Sequence, residues 1–252
     1  MLNTTQDVFI VVITVGASLL FMLGLNKLWP WEKRHAHNDL IGWQLSILGT
    51  TYAVILGFML YTVWTNFGAA TVNSDSEANA LVNVYSLAEG LPAEQRAQLQ
   101  TLTLSYARAV IDKDWPAMAS DRMPIESGQI NHNMWKTLMS VKTTLPTEIT
   151  AEDHAISELS TLTEHRRIRL LQSRFRLPSV LWCVLILGGV VTIASASMFG
   201  SANAGLHALQ VFAFSLLVAL VLVAIADIDR PFQGAVHVDN FAFKRALQNM
   251  GQ

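Results

Sequence analysis

The densest group of chemically active side chains in this sequence is a run of arginines. Five of them fall between residues 166 and 176, namely Arg166, Arg167, Arg169, Arg174 and Arg176. Guanidinium groups attract anions, so such a run could raise the anion concentration at a pore mouth if several chains assembled around an axis. The alternative is an anchor that meets the anionic headgroups of a membrane. The sequence alone leaves both interpretations open.

Other chemistry is weakly represented. His35, His37 and Asp39 could approach a metal ion, but two histidines in a short loop supply too few ligands, and we predict no metal site. The single cysteine, Cys183, excludes an intramolecular disulfide. No nucleophile elbow, phosphate-binding loop or zinc-protease motif is present, so we expect neither an enzyme nor a cofactor. A net charge of -2 argues against nucleic acid as a partner.

The elements that must position these residues are membrane helices. Four apolar stretches are each long enough to cross a hydrocarbon core of about 30 Å: Val8 to Leu25, Ile41 to Val63, Leu177 to Phe199 and Leu206 to Ile228. We predict an all-α membrane protein with four transmembrane helices. The predicted segments are 1–70 with the first two spans, 71–176 as a helical cytosolic domain, 177–228 with the last two spans, and 229–252 as a cytosolic C-terminal segment.

The distribution of positive charge predicts the orientation. Near the span ends, one side has only Lys27, Lys33 and Arg34. The other side has the five arginines of the run together with Arg230, Lys244 and Arg245. Because Lys and Arg accumulate on the cytoplasmic side, we predict a multi-pass protein of the bacterial inner membrane with both termini cytoplasmic.

The segment between the second and third spans shows helical periodicity. We predict helices over about Ser74 to Glu89, Ala93 to Ala119 and Gln129 to Lys142. A last helix is predicted to begin with Thr150 as its N-cap. It continues toward the membrane, and Pro178 predicts a kink or a restart where the chain enters the bilayer.

The second span has two different faces when it is drawn as a helix. One is small, with Gly42, Ser46, Gly49, Ala53 and Gly57, which would let another helix approach closely. The opposite face has polar ends and an apolar middle: Gln44, Ile47, Thr51, Ile55, Phe58, Thr62 and Asn66. This pattern is typical of a pore helix with an apolar gate. A helix packed on both sides, with its threonines bonded to the preceding turn, is the alternative.

The segment after the fourth span has the most distinctive local sequence, Asp229, Arg230, Pro231, Phe232, Gln233 and Gly234. From the residues alone, Pro231 ends the helix and Phe232 can fill an apolar gap, which describes a structural hinge. A role in coupling a cytosolic domain to a pore is the other interpretation.

This segment resembles the signature that follows the last membrane helix of bestrophins, with Arg230 in place of an asparagine and Gln233 between Phe232 and Gly234. Together with the order of spans, Glu77 to Asn83, Asp114-Trp115-Pro116 and Leu177 to Trp182, it makes nearly the whole chain resemble the bacterial bestrophin-like membrane family. The resemblance implies a pentamer around a pore lined by the second span, with Ile55 and Phe58 in an apolar neck. Only Asp229 and Asp239 remain of the acidic calcium clasp of animal bestrophins, which argues against calcium gating.

Two functions follow as hypotheses. The first is an oligomeric ion channel, for which the arginine run favours anions; its partners are other copies of the chain, the lipid bilayer and the permeant ion. The second is a non-conducting membrane scaffold or sensor whose helical domain binds a cytosolic partner. A transporter is the weakest option, because the sequence shows neither an internal repeat nor a clearly broken span.

Overall fold

The computed structural model describes residues 4–251, and within this range the chain is helical without β-strands. The helices are α1 (Thr4–Leu28), α2 (Trp31–His35), α3 (Asn38–Leu87), α4 (Ala93–Ala109), α5 (Trp115–Ala119), α6 (Glu126–Leu138), α7 (Pro146–Arg174), α8 (Ser179–Ser197), α9 (Ala204–Ile228) and α10 (Phe241–Met250). A short 3₁₀ turn, Ala88–Gly90, follows α3, and a π turn, Val110–Asp114, joins α4 to α5. Residues 1–3 and 252 of the predicted segments lie outside the described range.

The chain divides into two compact units. The membrane unit comprises the described part of Leu2–Thr65 together with Arg176–Asp229, and the helical unit comprises Asn66–Phe175 with the described part of Arg230–Gln252. In the described range, α1, α3, α8 and α9 are long and apolar enough to cross a membrane. The predicted all-α fold with four membrane helices is confirmed.

Inside the membrane unit, α1 packs against α9 and α8, and α8 packs against α9. These three helices carry mostly apolar side chains, and many of these side chains face outward. Outward apolar side chains suit a lipid environment, where burial inside the protein is not needed to remove them from water.

The helical unit has a conventional buried core. α4, α6 and α7 pack side by side, and α10 lies on α4. Leu81, Leu99, Met134, Leu159 and Phe243, from five different helices, are all fully buried in one cluster. The amphipathic helices predicted from 3.6-residue periodicity thus pack their apolar faces together.

Several helix boundaries differ from the sequence predictions, and α6, predicted over Gln129 to Lys142, runs from Glu126 to Leu138. The predicted helix from Ser74 is the continuation of α3, because the chain contains no proline between residues 38 and 87 and Ser74 bonds back to the carbonyl of Ala70. The predicted helix from Ala93 is interrupted by the π turn. α7 begins at Pro146, a residue suited to the first helical position, so Thr150 is not its N-cap. The hydroxyl of Thr150 donates to the carbonyl of Pro146 within the first turn. At the membrane the chain restarts, with Pro178 as the N-cap of α8.

Candidate functional site

The orientation of α3 in the membrane unit is fixed by Tyr52. Its hydroxyl donates to the carbonyl of Leu185 at 2.8 Å. Its ring lies over Gly188 and Gly189, where an added Cβ would meet ring carbon Cδ2 at 2.7 Å and the Tyr52 hydroxyl oxygen at 2.9 Å. The glycine pair therefore lets α8 pack closely against α3. Tyr52, Leu56 and Val63 are buried on this side.

The predicted pore face of α3 lies away from this packing. Gln44, Thr51 and Phe58 are exposed, and Phe58 retains 64% of its surface. Ile55 and Thr62 are half-buried, and Ile55 packs against the cluster around Tyr52. The exposed members form a stripe on the surface of the protomer, with Ile55 at its edge.

Two further features bear on this stripe. The hydroxyl of Thr62 donates to the carbonyl of Phe58 at 2.8 Å, the intrahelical bond that membrane threonines often form. Asn66, the last predicted pore residue, belongs to the helical unit and lines a cavity of about 160 Å³ with Leu171, Gln172 and Phe175.

The small face of α3 remains open in part. Nothing lies within 4 Å of a Cβ added at Gly49 or Gly57, and both line an apolar groove whose other wall is Phe214, Leu217 and Val221 of α9. At the other end, a Cβ on Gly42 would touch the Phe199 ring at 3.4 Å.

The most polar place in the helical unit is an ion cluster around fully buried Arg169, which we call the Arg169 cluster. The Nε of Arg169 lies 2.7 Å from Oε2 of Glu77, and its Nη2 lies 3.0 Å from Oδ2 of Asp114. Ser127 donates to the same oxygen of Asp114 at 2.6 Å and accepts from Nε of Arg166 at 2.8 Å. Two carboxylates thus meet two guanidinium groups through direct contacts and one hydroxyl.

Aromatic groups complete the Arg169 cluster. Tyr106 donates to Oε1 of Glu77 at 2.7 Å, and the guanidinium of Arg169 lies 5.3 Å from the ring centre of Trp115 and 6.0 Å from that of Phe243. Burial raises the pKa of Tyr106 well above its ordinary range, and the carboxylate of Glu77 adds to the effect. Burial is the largest single influence on Arg169 and lowers its pKa, but Glu77, Tyr106 and Asp114 together outweigh burial and the pKa of Arg169 is raised. The cluster is therefore held as charged Arg169 and neutral Tyr106.

The environment of Arg169 differs from the one predicted for the arginine run. It is 0% exposed and its charge is matched by Glu77 and Asp114, so it offers nothing to a passing anion or a headgroup. This corrects its grouping with the other four arginines. The physical reason is helical geometry, since residue 169 faces the core between its outward neighbours.

The other four arginines occupy more open positions. Arg167 and Arg174 are exposed, and Nη1 of Arg174 lies 3.7 Å from Oδ1 of Asp121 across a solvated contact. Arg166 is half-buried, and its guanidinium lies over Gly128, where a Cβ would come within 2.7 Å of Nη2. Arg176 is half-buried and lies in the membrane unit.

The segment after α9 is well packed. Oδ1 of Asp229 accepts from the backbone N–H of Leu177 at 2.9 Å, a bond within the membrane unit. In the helical unit, Pro231 is buried and Arg230 half-buried. Phe232 is 3% exposed and meets the ring of Trp115 edge-on, with centroids 5.6 Å apart. Gly234 has φ = 85°, a conformation that favours glycine.

The loop around α2, between α1 and α3, contains an arrangement that sequence reasoning missed. Arg34 is fully buried, donates to the carbonyl of Ser197 at 3.0 Å, and bonds to the side chain of Asn26. Because Ser197 is the last residue of α8, the positive charge lies at the negative end of that helix. The side-chain amide of Asn38 donates to the carbonyl of Gly200 at 2.8 Å and accepts from the N–H of Gly200 at 2.9 Å.

Glu77 and Asp114 were likewise assigned no role. The signal available in the sequence was an acid at an apolar helix position, since Glu77 precedes Ala78, Ala80 and Leu81 on a buried face. No cluster of three or more side chains able to hold a metal ion occurs among residues 4–251.

Comparison with known proteins decides the family. The model of the bestrophin-like domain matches residues 12–243 of this chain. The chain belongs to the bestrophin-like family. Membership supports a channel-like role. No curated protein sequence matches this bestrophin-like chain.

Solved structures share the bestrophin-like fold. Crystal structures of mutants of a bacterial bestrophin homologue from Klebsiella pneumoniae superpose with TM-scores of 0.65 and 0.63 at 14% and 16% identity. The alignments cover 98% of this chain in both cases, and 99% and 100% of the homologue. A further structure described as a membrane protein has a TM-score of 0.63 at 14% identity, covering 98% of this chain and 99% of the other.

Proposed function

We propose that this bestrophin-like chain is the subunit of a homo-oligomeric ion channel, with five subunits around a pore lined by α3. The pore face consists of Gln44, Thr51, Ile55, Phe58, Thr62 and Asn66, and Ile55 with Phe58 forms the apolar gate. The supporting observation is that α3 turns Tyr52, Leu56 and Val63 into the protomer and leaves Gln44, Thr51 and Phe58 uncovered.

Polarity is the reason to place this face against water. Amide and hydroxyl groups that face lipid within a membrane are costly, whereas a water-filled pore solvates them. A ring of exposed Phe58 side chains would narrow the pore by an apolar constriction that opens and closes by wetting.

The proposed channel has a preferred ion and a defined orientation in the membrane. Arg166, Arg167, Arg174 and Arg176 favour anions at the cytoplasmic mouth, or else contact headgroups, and Arg169 is left out because it is buried. The helical unit and both termini are cytoplasmic, in the inner membrane of a bacterium. Asp229, Arg230, Pro231, Phe232 and Gly234 form the structural connection after α9.

The decisive experiment records currents from purified protein in planar bilayers under asymmetric potassium chloride. Discrete steps that reverse near the chloride potential are expected. Reversal near the potassium potential would keep the pore and remove the anion role of the arginines. An intact, inserted oligomer that passes no current would favour the scaffold, for which the Thr62 to Phe58 bond is the specific supporting contact.

The gate is tested with Phe58→Ala. We expect a several-fold rise in flux, because a smaller side chain weakens the apolar constriction. Phe9→Ala is the matched control, since Phe9 of α1 is also 64% exposed and lies outside the proposed pore face. Ile55→Ala is less suitable because Ile55 also packs against the protomer. Equal flux in the Phe58 and Phe9 variants would contradict the gate.

A further inference from the structure

The turn between α5 and α6, residues 120–125, presents two large apolar side chains to solvent. Met123 is 50% exposed and Ile125 is 74% exposed, whereas Pro124 between them is buried. The two exposed side chains therefore stand on either side of a buried proline. Arg122 beside them is exposed as well.

The turn has a defined conformation. The N–H of Asp121 donates to the carbonyl of Met118 at 3.1 Å, and the N–H of Arg122 donates to that of Ala117 at 2.8 Å. Asp121 has φ = 56°, which aspartate tolerates better than most residues. The apolar pair is therefore presented from a structured turn.

Asp121 connects the turn to both stretches of chain that lead to the membrane helices. Its Oδ1 lies 3.7 Å from Nη1 of Arg174 and accepts from Nε2 of Gln233 at 3.4 Å. Arg174 lies shortly before Ser179, where α8 begins, and Gln233 lies shortly after Ile228, where α9 ends. Through Asp121 the turn is therefore bonded to the two chain segments that lead into α8 and out of α9.

Arginines lie on the turn and on α7, which contacts the turn through Arg174. Arg122, Arg167 and Arg174 are all exposed, and Arg167 and Arg174 share one side of α7 because they are two helical turns apart. Three acids accompany them: Asp121 contacts Arg174, Glu126 accepts from the N–H of Ile125, and exposed Glu164 lies one turn before Arg167. Apolar side chains accompanied by arginines are typical of interfacial membrane anchors.

We propose that this turn is a membrane anchor of the helical unit: Met123 and Ile125 insert into the interfacial layer of the bilayer, and Arg122, Arg167 and Arg174 contact anionic phospholipid headgroups. The anchor would hold the helical unit against the leaflet. A second copy of the chain is the other possible cover for the turn, and the experiment below distinguishes it.

The test measures lipid contact in the full-length protein. Met123→Cys is made in a Cys183→Ser background, labelled with an environment-sensitive fluorophore, and reconstituted into vesicles that contain phosphatidylglycerol. Met139→Cys is the matched control, because Met139 is a 60% exposed methionine of the same unit just beyond the opposite end of α6. Lipids with a spin label near the headgroup should quench the Met123 label several-fold more than the Met139 label.

Two results would overturn the membrane anchor. Equal quenching at the two positions overturns the anchor. A blue-shifted Met123 label that lipid spin labels do not quench indicates cover by a neighbouring subunit and overturns it as well. Replacing phosphatidylglycerol with phosphatidylcholine should weaken the quenching, and no change would overturn the role of the arginines. Ile125→Cys repeats the measurement if the Met123 variant does not assemble. No ion flux is involved, so the result is independent of conduction.

Discussion

At the scale of single residues, two arginines of α7 that look alike in the sequence have opposite environments. Arg169 is fully buried between two carboxylates, whereas the Arg174 side chain is 48% exposed beside one. Breaking a buried pair leaves an unmatched charge in the core and costs about 3–5 kcal/mol. An exposed pair contributes roughly 0–1 kcal/mol because water screens it.

We therefore expect Arg169→Met to lower the unfolding temperature strongly and Arg174→Met to leave it nearly unchanged. Thermal unfolding in detergent, followed by tryptophan fluorescence, measures both, and Trp115 reports directly because it lies against Arg169. Similar shifts in the two variants would mean that the Arg169 cluster does not stabilise the helical unit.

The environment of Arg169 could not be predicted from the sequence. Its partners Glu77 and Asp114 lie 92 and 55 positions away, and only the packing of α3, the π turn and α7 brings them together. Tyr52 is similar, because its bond to Leu185 joins positions 133 residues apart. Apolar periodicity reports which face of one helix is buried, but not which polar groups of other helices meet it there.

At the scale of elements, the position of α2 depends on Gly200 between α8 and α9. A Cβ at this position would lie 2.4 Å from the backbone nitrogen of His35 and 2.6 Å from the carbonyl oxygen of Trp31. These are backbone atoms of α2 and cannot rotate away. Any side chain at position 200 must displace α2 or the end of α8.

Gly200→Ala should therefore destabilise the membrane unit by about 1–3 kcal/mol, the usual cost of overpacking. Gly24→Ala is the control, because nothing lies within 4 Å of the added Cβ and alanine is the better helix former by about 1 kcal/mol. Thermal unfolding in detergent measures both variants. If Gly200→Ala were as stable as Gly24→Ala, α2 would be able to move at little cost.

Elements were easier to predict than contacts. The four spans follow from long apolar runs, and the sequence located α1, α8, α9 and the start of α3 within a few residues. Helix ends were harder: α3 continues through polar residues at 73–76 because nothing there breaks a helix. No residue preference marks the π turn in the sequence. The turn ends at Asp114, and both Asp114 and Trp115 are buried in the folded unit.

At the scale of the whole molecule, the proposed orientation makes a direct prediction. In the Cys183→Ser background, a cysteine at exposed Ala202, in the turn before α9, should react with a membrane-impermeant maleimide added to intact cells. A cysteine at exposed Gln248 of α10 should react only after the membrane is broken. The reverse pattern would invert the topology and place the arginines on the outer face.

The π turn also marks a place where the length of this chain can vary. It contains one residue more per turn than an α-helix, and Asp114, which closes it, reaches Arg169 from that position. Deleting exposed Asp112 would allow a continuous α-helix, which local energetics favour. Because the five residues of the turn fill about the rotation that four residues take in an α-helix, Trp115 and Met118 would keep their direction relative to α4. A one-residue deletion elsewhere in a helix rotates all later residues by about 100°, whereas here the turn absorbs it.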